Sequence, residues 1–286
     1  MTVERIESVA VVGGGFMGTG IAESVAIAGV PVIVRDVDEP SLERARKRLD
    51  DSLRRAVTGG KLNAAHADTA RGRIELTTEL DAIDGADLVI EAVPEDEELK
   101  LRVMGAINEI VDADTIIASN TSSIPIAQLA HIVHEPERVL GLHFFSPVPV
   151  MTLVEVVVAL DTSSQTLATA KEFVERLGKR PIETKDRSGF IVNMLLVPYL
   201  MAAVRMFEDG FASREDIDAG MKLGCGHPMG PLVLCDFIGL DVLYAVCDSL
   251  YEEFKRDEYA PPPLLRRMIA SGRLGRKSGR GFYEYP

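Results

Sequence analysis

Short β-branched apolar runs recur along the first two-thirds of this 286-residue chain, and the stretches between them space their apolar residues for a helix. The runs are SVAVV (8–12), VPVIVRD (30–36), ADLVIEAV (86–93), DTIIASN (114–120), RVLGLHFF (138–145), LVEVVVAL (153–160) and RPIETK (180–185). Helical spacing is plainest over 97–111 and 164–177. Strand and helix alternating in this way predict an α/β domain over 1–185, a mostly parallel sheet covered on both faces. One stretch departs from the alternation. SLERARKRLDDSLRRAV followed by GGKLNAAHADTARGR, about 41–73, reads as two antiparallel helices inserted after the second strand. Its Arg and Lys residues suit a solvated face with helical ion pairs.

From residue 186 the pattern changes to long helical segments with no strand-like alternation between them. They are GFIVNMLLVPYLMAAVRMFEDG, SREDIDAGMKLG, PLVLCDFIGLDVLYAVCDSLYEEFK and PPLLRRMIASG, which predict an all-α domain over 186–286. The first is apolar on nearly every face, so it is expected to be buried all round. A two-chain interface is one way to bury it, hence an expected homodimer.

Composition narrows the partners. A formal net charge of −13 speaks against a nucleic-acid surface, which needs clustered Lys and Arg. The apolar stretches fall short of a membrane span, and the N-terminus lacks the basic and apolar regions of a secretory signal. Three cysteines, Cys225, Cys235 and Cys247, point to reduced thiols packed on helices in a cytoplasmic setting. His66, His131, His134 and His227 form no pair with metal-ligand spacing, and no metal is expected.

The chemistry concentrates in three places. VAVVGGGFMGTGIAES sets Gly13, Gly15 and Gly18 in the GxGxxG spacing directly after a strand and at the opening of a helix. In that context Gly13 permits the tight turn, Gly15 the approach of a pyrophosphate, and Gly18 close helix–strand packing. The free N–H groups of the helix start favour the phosphates. Asp36 ends the next strand, where it would accept from ribose hydroxyls and repel a 2′-phosphate, favouring NAD over NADP. The second place is PEDEELK (94–100), after the strand ending at Val93. Its acidic first turn suits a helix N-terminus. Its position at the carboxyl end of a strand also makes Glu95 and Lys100 candidates for cofactor contacts.

The third is VLGLHFFSPVPVMTLVEVVVAL (139–160), an apolar run holding two titratable side chains, His143 and Glu155. Burying either unpaired is costly, so they partner each other or face a cavity. If the chain folds back around Pro149 the two fall opposite one another. The prolines argue against a regular tight hairpin, so proximity is expected and a ladder is not. A neutral imidazole can accept a hydroxyl proton near neutral pH, apolar neighbours favour that form, and a carboxylate partner would fix its tautomer and balance the imidazolium.

Together with SNTSS, SGFIVN, GHPMGP and GRKSGRGFYEY, these motifs make the sequence resemble the L-3-hydroxyacyl-CoA dehydrogenase family over essentially its whole length, most nearly its free-standing bacterial members. The resemblance implies a Rossmann-like domain, a C-terminal helical dimerisation domain and a cleft between them. There the family interconverts (S)-3-hydroxyacyl-CoA plus NAD⁺ with 3-oxoacyl-CoA plus NADH, here with a short acyl chain. It implies His143 and Glu155 as the catalytic pair, with Ser122 and Asn193 as hydrogen-bond donors to the reacting oxygen. Cofactor contacts would be Gly13, Gly15, Phe16, Met17, Gly18, Asp36, Glu95, Lys100, Asn120, Ser146 and Lys277. Coenzyme A would be met by Lys61, which recasts the basic hairpin as a substrate clamp. On the residues alone Ser122 also suits a helix N-cap, whereas Asn193 is an amide inside an apolar helix that needs partners.

Two departures stand out. Relatives commonly have Asn where this chain has Ser146. The upstream serine that some use on coenzyme A lacks a clear counterpart, arginines occupying that turn. Two other readings share many of these residues: an NAD-dependent dehydrogenase of a free hydroxy acid or sugar acid, and a non-catalytic nucleotide-binding protein. Lys61 and the basic hairpin favour the thioester over the first, and the full set of His143, Glu155, Ser122 and Asn193 speaks against the second.

Overall fold

The computed structural model describes residues 5–285, which fall into two compact units divided between Asp186 and Arg187. The first holds eight strands among the described residues: β1 (Val9–Val12), β2 (Val32–Arg35), β3 (Ile74–Thr77), β4 (Leu88–Glu91), β5 (Ile116–Ser119), β6 (Val139–Phe144), β7 (Leu153–Val158) and β8 (Arg180–Lys185). They form one sheet in the order β3-β2-β1-β4-β5-β6-β7-β8. Every neighbouring pair is parallel except β6 with β7, which run antiparallel.

β3 is a strand the apolar pattern did not predict. IELT alternates instead of running apolar, because this edge strand buries Ile74 against the core and leaves Glu75 exposed. The inner strands β1, β4 and β5 are buried at every position, as a sheet covered on both faces requires.

The covering helices are α1 (Phe16–Ile27), α2 (Glu39–Thr58), α3 (Ala64–Gly72), α4 (Glu97–Asn108), the short α5 (Ile126–Ala130) and α6 (Ser164–Arg176). α2 and α3 are the expected inserted hairpin. Asp38 caps α2 by accepting from the Ser41 N–H at 2.8 Å, and Asn63 caps α3 by accepting from that of His66 at 2.8 Å. Leu42, Ala45, Leu49 and Leu53 recur at helical spacing along α2 and are buried. Leu49 and Leu53 join Ile21 and Val25 of α1 in the main core, so the hairpin is docked on α1 while its arginines stay outward.

The second unit is helical: α7 (Val192–Glu208), α8 (Arg214–Ala219), α9 (Pro231–Ile238), α10 (Leu240–Phe254) and α11 (Pro263–Ala270). The apolar run over 231–255 makes two helices, not one, broken at Gly239, whose φ of 101° lies where side-chain-bearing residues are strained. Leu200, Val204, Leu232, Cys235, Leu243 and Leu250 belong to its core. The carboxylate of Asp236, 1 % exposed, accepts from the N–H groups of Phe282 and Tyr283 and from the Tyr285 hydroxyl, each at 2.9 Å, and so ties the C-terminal segment to α9. Within the chain α7 is not buried all round, for Leu195 on it is 72 % exposed.

Candidate active site

Because β1, β4, β5 and β6 run parallel, the turns that follow them share one edge of the sheet. In open α/β sheets that edge is where ligands bind. The glycine loop lies there. Gly13 adopts φ +111°, and a Cβ on it would come 2.6 Å from the Ala92 carbonyl oxygen; one on Gly18 would come 1.8 Å from that of Gly13. Both positions therefore need glycine for packing. Gly15 differs: nothing lies within 4 Å of where its Cβ would be, and it begins α1 with no side-chain cap. Phe16 is 61 % exposed and Met17 half-buried beside it.

At the end of β2, Asp36 turns its carboxylate to this loop and accepts from the N–H groups of Gly14 (3.0 Å) and Val37 (2.7 Å). Open room over Gly15, an uncapped helix start and a fixed carboxylate one strand away are the features that suit the pyrophosphate and ribose of a dinucleotide.

His143 and Glu155 lie directly opposite one another in the β6–β7 ladder, with Nδ1 2.7 Å from Oε2 and side chains 8 % and 0 % exposed. The expectation of proximity without a ladder is thus corrected. Pro147 and Pro149 sit in the connection between the strands, where they remove no ladder hydrogen bond. The Phe145 ring is tilted against the imidazole at 4.6 Å between centroids. Asn120, just past β5, accepts from the Phe144 N–H at 3.0 Å and ties the end of the histidine strand to its neighbour. Ser146 is exposed in the connection.

Glu95 forms a hub. Its Oε1 accepts from the Thr121 hydroxyl (2.6 Å), the Ser122 N–H (2.8 Å) and hydroxyl (3.2 Å), and the Ser123 N–H (3.1 Å) and hydroxyl (2.9 Å). Burial alone would push this carboxyl up, but Lys100 and these donors together hold it below the usual range. Ser122 is not a helix N-cap, for Pro125 holds the N-cap position of α5. Lys100 lies behind Glu95. It is 1 % exposed, and its ammonium donates to both oxygens of Glu91 (2.8 and 3.0 Å) and to the Val93 carbonyl (3.1 Å), and lies 3.4 Å from Oε2 of Glu95.

Lys61 lines a cavity of about 610 Å³ between α1, the hairpin and the connection after β6. Arg48, Arg55 and Ser52 share its wall, so a serine does stand among the arginines of that turn. Two residues unremarked in the sequence join this region. Glu23 on α1 lines the cavity at 2 % exposure, and burial raises its carboxyl against the pull of Ser52, Arg55 and Lys179. Lys179, also buried, donates to the carbonyls of Val148 (2.6 Å) and Met151 (2.8 Å), bracing the connection after His143. An acidic residue in the otherwise apolar α1 was the available sign of the first; Lys179 left none.

In the second unit Asn193 lies, as expected, in an apolar helix, in the first turn of α7 and half-buried. Lys277 is paired with Asp241, 2.5 Å from its Oδ1. Cys235 and Cys247 are buried and Cys225 is exposed, all three as free thiols. Among the described residues no three His, Cys, Asp or Glu side chains gather as for a metal, and no helix is long and apolar enough to cross a membrane.

A mostly parallel sheet with this glycine loop, an aspartate turned to it and a buried histidine–carboxylate pair on one edge defines an NAD-dependent oxidoreductase. The family model described as 3-hydroxyacyl-CoA dehydrogenase, NAD binding domain, matches residues 8–187, and that of the C-terminal domain matches 189–285. The chain belongs to the 3-hydroxyacyl-CoA dehydrogenase family. It is 50 % identical to a 3-hydroxybutyryl-CoA dehydrogenase of Mycobacterium tuberculosis over 284 residues, 99 % of each chain. Among solved structures it is similar to M. tuberculosis FadB2, with a TM-score of 0.97 and 50 % identity over 99 % of this chain and 100 % of the other. It is similar also to (S)-3-hydroxybutyryl-CoA dehydrogenase PaaH1 from Ralstonia eutropha, with a TM-score of 0.94 and 44 % identity over the same shares.

Proposed function

We propose that the protein interconverts (S)-3-hydroxybutyryl-CoA and acetoacetyl-CoA, with His143 as the acid–base group. The observation that carries this reading is the 2.7 Å contact from His143 Nδ1 to a fully buried Glu155. That contact commits Nδ1 to the carboxylate and assigns the substrate proton to Nε2. In oxidation Nε2 takes the hydroxyl proton, and Glu155 balances the imidazolium that results. In reduction the same proton is returned to the alkoxide oxygen.

Ser122 and Asn193 donate to the reacting oxygen where negative charge develops, a role typically worth about 10²-fold to 10³-fold for one donor. Gly13, Gly15, Phe16, Met17 and Gly18 hold the cofactor with Asp36, Glu95, Lys100, Asn120, Ser146 and Lys277. Bound NAD supplies the hydride acceptor. Lys61, in a wall shared with Arg48 and Arg55, meets the phosphates of coenzyme A. The exposed apolar side chains of the helical unit, Leu195, Phe211 and Leu223, support a homodimer formed through that unit. Three free thiols support a cytoplasmic setting.

NADH consumption with acetoacetyl-CoA, run beside a free 3-oxo acid, tests the reading. Turnover of the thioester is expected. Turnover of the free acid alone would move the assignment to a hydroxy-acid dehydrogenase, and no turnover of either to a nucleotide-binding protein. With NADPH in place of NADH, kcat/KM should fall by about tenfold or more, since a 2′-phosphate would meet the Asp36 carboxylate. Comparable efficiency with the two would refute that role.

A further inference from the structure

We propose that Arg48 is a charge shared by the two anionic ligands of the first unit, the dinucleotide and coenzyme A, and that it lets each bind while the other is in place. The inference rests on the reading of the cavity beside Lys61 as the coenzyme A site.

Helix α2 connects the two sites. Ala45, Arg48, Ser52 and Arg55 follow at spacings of three and four, so they run down one side of it. At one end α2 lies against the glycine loop, where a Cβ on Gly14 would come 3.1 Å from that of Ala45. Further along, Ser52 and Arg55 line the cavity with Lys61. Arg48 stands between them and belongs to both. It lines the cavity, and its Nη1 donates to the Gly14 carbonyl at 3.4 Å. Gly14 directly precedes Gly15, over which there is room for the pyrophosphate, and its own N–H is held by Asp36.

The charge of Arg48 is uncommitted. Arg54 is paired with Asp51 and Arg71 with Asp50, while Arg55 is drawn to the buried carboxyl of Glu23. Among the described residues no carboxylate pairs with Arg48, and its contact with Gly14 uses one of the five N–H donors of a guanidinium. Seven residues separate Arg48 from Arg55, roughly 10 Å of helix and about one Debye length at physiological salt. Two polyphosphates bound along that face therefore repel each other. A guanidinium placed between them offsets the repulsion for whichever ligand arrives second, and the long bond to Gly14 orients it without holding it back.

Calorimetry of coenzyme A binding to the full chain, alone and saturated with NADH, tests this in the parent and in Arg48→Met. Arg48 is exposed, so the substitution leaves no buried charge unpaired. In the parent, NADH should leave coenzyme A affinity within about twofold or tighten it. In Arg48→Met, NADH should weaken coenzyme A by about five- to tenfold, over and above any loss seen without NADH, and coenzyme A should weaken NADH by the same factor. Arg48→Lys, which keeps the charge, should recover most of this coupling. Lys61→Met should lower coenzyme A affinity equally with and without NADH. At about 1 M salt, where charges act over about 3 Å, the parent and Arg48→Met should respond to NADH alike. The same response to NADH in parent and Arg48→Met at low salt would overturn the inference, and a loss of coenzyme A affinity there would make Arg48 a contact of one ligand only. An Arg48→Lys variant that recovers nothing would overturn it too, since charge would not be the cause. A parent that binds NADH but no coenzyme A overturns both the inference and the reading on which it rests.

Discussion

Two carboxylates in the sheet, Glu155 and Glu91, are both 0 % exposed, and each is held by one nitrogen base. Glu91 meets Lys100, whose ammonium is tied to both of its oxygens; Glu155 meets the imidazole of His143 through Nδ1. The bases differ in what they can do when the proton count changes. A neutral imidazole keeps its Nδ1–H to the carboxylate and can add a proton at Nε2 near neutral pH. A lysine in a buried pair is bound to stay charged, because neutralising it strands its partner. Burial of an acid with a base therefore does not by itself mark catalysis. The pair that can take up and release a proton without breaking its own link is the one suited to chemistry, and the closed pair is suited to holding its neighbours in place.

Substitutions at the two pairs should fail in opposite ways. His143→Ala is expected to lower kcat by about 10³-fold or more with NADH affinity retained, as calorimetry and steady-state rates would show; collapse of NADH binding would contradict its assigned role. Lys100→Met alone, which leaves Glu91 buried and unpaired, should destabilise the fold by about 3–5 kcal/mol in a denaturant titration. The double variant Glu91→Gln/Lys100→Met should recover most of that loss, and equal losses in the two would break the comparison. Glu155→Gln keeps an acceptor for Nδ1 but removes the counter-charge. It should cost about 10²-fold in kcat. Its effect on stability should be smallest of all, about 1 kcal/mol, since a neutral hydrogen-bonded pair remains. A large stability loss there with kcat intact would reverse the roles of the two pairs.

The sequence exposed the His143–Glu155 pair, proposed as catalytic, more readily than the Glu91–Lys100 pair. His143 and Glu155 interrupt an apolar run, and an isolated titratable residue in such a run demands an explanation. Lys100 lies in an acidic stretch, PEDEELK, that reads as an exposed helix start, and nothing in its spacing says that this one side chain turns inward to Glu91. Glu91 itself is hidden at the end of ADLVIEAV, where it could belong to the strand or the loop. The arginines of α2 and the lysine at 61 were visible as a basic hairpin. That they share a cavity wall with Glu23 and Ser52 depends on how α2 docks on α1. β3 escaped notice because an edge strand of four residues needs only one buried face.

What the sequence determined by itself is what depends on local periodicity and local stereochemistry. The alternation of apolar runs and helices, the change to helical spacing after residue 185, and the glycine spacing at 13, 15 and 18 each act within a few residues of themselves. The tertiary structure decided which residues separated in sequence come to share a hydrogen bond. The register that sets His143 against Glu155, the inward turn of Lys100 and the gathering of Thr121, Ser122 and Ser123 on Glu95 follow from strand order and helix docking. Those are fixed by burial of the whole core, to which no single segment holds the key.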